Sequence, residues 1–188
     1  MLREIVTETR LVKNMVLMRK LAVVENEKWR TNCVLLNESA TVLFGAISTE
    51  EAPPDNEFPI WQKTDSFGRT YFGTSDFWYL DQSIPGDADL SWLEWDGNEI
   101  LIDSPYKENI VEIYLKTVGI IKSWRVQLEQ SYPNERFVIL ASFDDGSELT
   151  ETSDFSISFT LRFWKIREGF GPDENLTSSQ PIIKEICE

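Results

Sequence analysis

The sequence predicts an α+β fold: an antiparallel β-sheet with one long amphipathic helix packed on a face, in a single domain. Three observations carry this. Residues 104–130 place apolar side chains at helical spacing, and residues 155–167 alternate apolar and polar side chains at strand spacing. Of the 188 residues, 41% are hydrophobic, which is enough for a sizeable core.

The helix is specified at both ends. Ser104 suits an N-cap, because its hydroxyl can accept from an orphan N–H of the first turn, and Pro105 suits the first helical position. Ile110, Tyr114, Val118, Ile121, Trp124 and Leu128 recur every three or four residues and form one apolar face. Pro133 marks the far end. At 1.5 Å per residue the helix would span roughly 40 Å, enough to cover a small sheet. Gly119 lies inside it, either for close packing on the sheet or at a kink that would divide it in two.

The strands follow from pattern and punctuation. Residues 137–143 are continuously apolar and read as a strand buried on both faces, closed by turn chemistry at Asp144, Asp145, Gly146 and Ser147. Phe155, Ile157, Phe159, Leu161 and Phe163 alternate with Ser156, Ser158, Thr160 and Arg162, as expected of a strand with one face on the core. In the first half, residues 2–24 fit a short helix or arm followed by a strand at 21–24. Residues 33–36 and 41–44 flank Asn37, Glu38 and Ser39 and read as a hairpin. Residues 51–100 are rich in proline and glycine, which predicts loops and short strands in place of long helices. Strand pieces are expected at 67–72 and 77–80, and a hairpin turn at Asp96, Gly97 and Asn98. Gly169, Phe170, Gly171 and Pro172 close the domain, which we place at residues 1–172. Residues 173–188 are expected to form a polar, mobile tail that docks weakly through Ile182, Ile183 and Ile186.

Composition excludes several function classes. The formal net charge is −14, so nucleic acid and anionic membranes would repel the protein and a macromolecular partner would be basic. There is no histidine, which removes Ser-His-Asp and Cys-His catalysis and any His-ligated zinc site within the chain. Cys33 and Cys187 form no CxxC motif and read as reduced thiols of a cytoplasmic protein. The apolar run at 15–24 is interrupted by Arg19 and Lys20, so we expect no signal peptide, and no stretch approaches a transmembrane length. There is no Walker loop and no GxGxxG. Arg162, Lys165 and Arg167 with Phe163 and Trp164 form a basic-aromatic cluster, which reads as one polar strand face plus core. Asp87, Ala88 and Asp89 begin like a calcium loop, but Trp92 stands where glycine is needed. No cofactor or metal is expected.

The candidate site is acidic and aromatic. Residues 51–100 carry eleven acidic side chains against Lys63 and Arg69, a net of −9, together with four of the seven tryptophans. Within residues 76–99, Asp76, Trp78, Asp87, Asp89, Trp92, Glu94, Trp95 and Asp96 are the candidate partner-binding residues. Acids steer a cationic partner, and tryptophans supply desolvated contact. The same pattern also fits a carboxylate-dependent carbohydrate-active enzyme or a carbohydrate-binding domain. The plain structural alternative is that the tryptophans fill the core and the acids line a solvated loop.

The second half also carries a resemblance. The helix, then Tyr132 and Pro133, then Arg136, Phe137, Val138, Ile139 and Leu140, then Asp144, Asp145 and Gly146, then the run from Ser158 to Trp164 resembles bacterial immunity proteins of polymorphic or contact-dependent toxin systems. It covers residues 104–167, about a third of the chain. The resemblance implies a non-enzymatic protein that binds one cognate toxin, often a nuclease with a basic active site, and blocks it. Residues 51–100 have no counterpart in that resemblance.

Overall fold

The structure, a computed structural model, describes residues 34–36, 40, 43–48, 50, 52–74, 84–145, 157–169, 171 and 182–187. Their order is β1 (Val34–Leu36), β2 (Trp61–Thr64), β3 (Thr70–Gly73), α1 (Leu90–Gly97), β4 (Ile100–Ser104), α2 (Ile110–Ser131), β5 (Phe137–Asp144), β6 (Ile157–Lys165) and β7 (Ile182–Cys187). Five strands pair antiparallel in the order β1-β7-β5-β6-β4, and β2 and β3 form a separate hairpin. The architecture is α+β, with the long helix on one face of the sheet.

The alternation in β6 sets the layers. Ile157, Phe159, Leu161 and Phe163 point to one side, where Phe137, Ile139, Ala141 and Phe143 of β5 and Ile100 and Ile102 of β4 join them. Against this face α2 packs Ile113, Tyr114, Val118, Ile121, Trp124 and Leu128. Burying a side chain of this size contributes about 1.5–3 kcal/mol, so this interface dominates the stability of the fold. Aromatic rings close it at both ends. Phe44 stacks on Tyr114 with centroids 4.5 Å apart, and Phe72 meets Tyr132 and Phe137 edge-on at 4.8 Å each. On the opposite face Val138, Leu140 and Trp164 form a second, smaller cluster.

The helix is unbroken across Gly119, and the glycine serves close packing against a loop segment instead of the sheet. Residues 52–60 lie along α2. The Asp55 N–H donates to the Gly119 carbonyl at 3.1 Å, Trp124 Nε1 donates to the Phe58 carbonyl at 2.8 Å, and the Ile60 N–H donates to Gln127 Oε1 at 3.0 Å. Lys122 Nζ donates to the Ala52 carbonyl at 2.9 Å. A Cβ on residue 119 would lie 2.4 Å from the Pro53 carbonyl oxygen. This second covering explains why Thr117, Ile120 and Ser123 are buried although they lie off the expected stripe.

Four expectations are corrected. The helix begins at Ile110, after a 3₁₀ turn at Lys107–Asn109. Ser104 ends β4 opposite Ile157, so its backbone stays in the ladder. Its hydroxyl accepts from the Tyr106 N–H at 3.1 Å and from Asn109 Nδ2 at 3.0 Å, shaping the approach to the helix without capping it. The described residues of 33–36 and 41–44 do not pair as a hairpin. Val34–Leu36 pairs with β7 instead, while Leu43 and Phe44 are helical. The turn expected at Asp96, Gly97 and Asn98 joins a helix to β4, not two strands. Within the expected tail, Ile182–Cys187 is a strand between β1 and β5. There its backbone groups find partners on both sides, which outweighs its weak local signal. Cys187 is a buried thiol opposite Phe137. The strands expected at 21–24 and 77–80, and Cys33, lie outside the described residues.

Candidate partner-binding face

The face is built on α1. Its first residues follow a turn in which the Ala88 N–H donates to the Pro85 carbonyl. Arg69 holds that turn from the β2–β3 hairpin. Its guanidinium donates to the carbonyls of Pro85, Gly86 and Ala88 at 2.7, 2.7 and 3.1 Å and pairs with Asp65 at 2.8 Å. Burial pushes the Asp65 carboxyl up, but hydrogen bonds from Arg69 and the Phe67 amide, with the Arg69 charge, hold it below its ordinary value.

Asp89 is the N-cap of α1. Its Oδ1 accepts from the Ser91 and Trp92 N–H groups at 2.9 and 3.2 Å, and its Oδ2 accepts from the Gly171 N–H at 2.7 Å. Gly171 has a φ of +86° and lies so close to α1 that a Cβ would meet the Ser91 Cβ at 2.6 Å. Gly171 is thereby bound to the start of the helix. Asp89 lies at the face, yet its carboxylate is committed to the fold.

The inward side of α1 is polar. Ser91, Glu94 and Asn98 are fully buried at helical spacing. Glu94 accepts from Arg167 Nη2 at 2.7 Å and Nη1 at 2.9 Å, from the Lys165 N–H at 2.7 Å and from the Phe72 N–H at 3.0 Å. Arg167 also donates to Ser91 Oγ at 2.9 Å and to the Thr70 carbonyl at 3.0 Å. Asn98 completes the joint, with Nδ2 donating to the carbonyls of Phe72 and Phe163 and Oδ1 accepting from the Thr74 N–H. Burial pushes the Glu94 carboxyl up, and Arg167 with the two amides opposes it. Four donors converge on its two oxygens, an arrangement that only the ionised form accepts in full.

Glu94 is therefore corrected from a contact residue to a buried brace. It ties α1 to β3 and to the end of β6. Arg167, its partner, lies beyond the end of β6 and pairs with buried Glu94, and so does not belong to the polar strand face expected for it. The sequence signal that could have found the pair is the spacing of Ser91, Glu94 and Asn98, a polar stripe on one side of a helical turn.

The outward side carries the remaining candidates. Trp92 is 51% exposed, and Asp87 and Asp96 are exposed. Trp95 is half-buried, edge-on to Trp164 at 4.9 Å and to Trp92 at 6.4 Å. Arg162 lies over the Trp95 ring at 4.8 Å and pairs with Glu99. Ala88, Asp89, Trp92, Leu93, Trp95 and Asp96 line an open recess of about 410 Å³. The structure thus brings Asp89, Trp92, Trp95 and Asp96 together with Asp87 in the adjacent turn, and it places Glu94 behind them. Asp76 and Trp78 lie outside the described residues.

Among the described residues no helix is long and apolar enough to cross a membrane, and no group of three or more metal-ligating side chains could hold a metal ion. What this arrangement offers chemically is a rigid aromatic surface with carboxylates around it. Compared with family models, curated proteins and solved structures, the chain matches none.

Proposed function

We propose that the protein is a non-enzymatic binding protein that neutralises a basic partner, most simply a toxin with a cationic active site such as a nuclease, in the manner of an immunity protein. The observation that carries this reading is Trp92, half exposed in an acid-lined recess on a helix that a buried ion pair holds in place. A nuclease presents lysine and arginine around its cleft to bind phosphate. A surface of net negative charge would be drawn to that cleft, and a rigid tryptophan would supply the contact that slows release.

The carbohydrate-enzyme alternative needs two carboxylates able to exchange protons with a ligand. Asp89 is committed to three backbone N–H groups and Glu94 is buried on the inward side of α1, so neither can serve as such a carboxylate.

The test is co-expression with basic toxins encoded beside this reading frame. The wild-type chain is expected to restore growth against its cognate toxin, and a D87K/D96K variant is expected to lose that protection while remaining folded. Protection against no neighbouring toxin, or protection unchanged by the double reversal, would overturn the reading.

A further inference from the structure

We infer that the recess beside Trp92 receives a guanidinium or ammonium side chain of the partner, seated on the face of the Trp92 ring. This rests on the basic-partner reading above and names the group that the site recognises.

The fold already uses this chemistry elsewhere. Arg162 lies 4.8 Å from the Trp95 centroid and pairs with Glu99. Arg69 lies 5.5 Å from the Phe67 centroid and pairs with Asp65. Lys63 lies 4.7 Å from the Trp61 centroid. In each case a cation sits on the negative face of an aromatic ring, and in two of them a carboxylate holds it there. Trp92 presents a half-exposed ring, with Asp89 and Asp96 lining the same recess.

The occupant follows from what each chemistry would cost. An apolar side chain would gain the area of the indole but nothing from the negative potential of the acids that line the recess. An anion would be repelled. A cation gains the ring quadrupole and the negative potential together, and a planar guanidinium can also stack on the indole. The ring is braced by its edge contact with Trp95, which in turn packs on buried Trp164, so little side-chain freedom remains to be lost on binding.

The test uses the full chain and fluorescently labelled oligo-arginine and oligo-lysine peptides, with an uncharged peptide of equal length as control. Binding is followed by anisotropy over a salt series. Wild type, W92A, W92L and E112Q are compared, the last removing an exposed acid on α2. The expected result is that both basic peptides bind, oligo-arginine more tightly, and that W92A and W92L each weaken binding by about five- to thirty-fold. E112Q should stay within about twofold of wild type, as expected for loss of one remote surface charge. W92L keeps much of the apolar area, so its retention of wild-type affinity would overturn the ring-face assignment. Binding that ignores both Trp92 variants would overturn this inference and leave the basic-partner reading standing. If neither basic peptide bound at low salt, both would fall.

Discussion

Glu94 on α1 and Arg167 beyond β6 meet through two parallel N–H···O contacts of 2.7 and 2.9 Å, with the carboxylate wholly removed from water. Buried pairs of this kind are often replaceable by apolar side chains, because desolvation offsets much of the attraction. This one is different, because its atoms also serve the backbone. Glu94 accepts the N–H groups of Phe72 and Lys165, and Arg167 donates to the Thr70 carbonyl. E94A and R167A should each cost about 3–5 kcal/mol in urea unfolding. The E94L/R167M double variant should cost less than the two single losses together. It should still fall short of wild type by about 2 kcal/mol or more, since buried backbone groups lose their partners. A double variant as stable as wild type would contradict this account.

Gly119 offers a test with an unambiguous sign. Within a helix, alanine is favoured over glycine by about 1 kcal/mol, so G119A would stabilise the protein if the position were open. The Pro53 carbonyl occupies that space at 2.4 Å. G119A should therefore destabilise by about 1–3 kcal/mol and loosen residues 52–60, seen as faster amide exchange at Asp55 and Ile60. A gain in stability would show that this segment does not press on the helix.

Asp65 sets an acid-side dependence. Its carboxyl is held below its ordinary value of 3.8, so the folded state binds the proton more weakly than the unfolded state does. The stabilisation is present above that value and is lost as pH falls through the depressed one. Against D65N, wild type should hold its full advantage at pH 6, and the two should converge as pH falls below about 4, near the unperturbed carboxylate range. A stability difference that stays constant down to pH 2 would remove Asp65 from this role.

The two neighbouring tryptophans should separate binding from folding. Trp92 is half exposed, so W92A should change unfolding free energy by less than about 1 kcal/mol. Trp95 packs on Trp164 and beneath Arg162, so W95A should cost about 2–3 kcal/mol and expose Arg162 and Glu99 to solvent. Equal losses of stability in the two variants would mean that Trp92 belongs to the core.

Where one periodicity dominates, the sequence is a good guide. The stripe from Ile110 to Leu128 and the alternation from Ile157 to Phe163 both face the core as read, because apolar spacing and burial coincide. In α1 they diverge. Its buried stripe is Ser91, Glu94 and Asn98, and its most exposed large side chain is Trp92, so a search for an apolar face misses the helix. The burial of that polar stripe depends on Arg167, which lies 73 positions from Glu94 in sequence. The partner of β1 and the strand at β7 escape the sequence for a related reason. Short apolar runs carry no information about which distant strand completes them, and the run nearest to 33–36 is not its partner. In the candidate site, residue types identified the tryptophans and acids. Only packing separates Asp87, Trp92 and Asp96 at the surface from Glu94 beneath it.

The position of β7 has a consequence for how the protein comes into being. It lies between β1 and β5, and Val34 pairs with Glu185 across some 150 residues of sequence. Of the described strands it is the last to leave the ribosome. Until it does, β1 has no partner among the described strands and β5 lacks its β7 neighbour along that edge. The growing chain can assemble α2 on β4, β5 and β6 early, but closure of the sheet awaits the end of translation of residues 182–187. A ribosome stalled shortly before that point would display an incomplete sheet with an exposed edge, a form open to chaperone capture or to pairing with a second nascent chain.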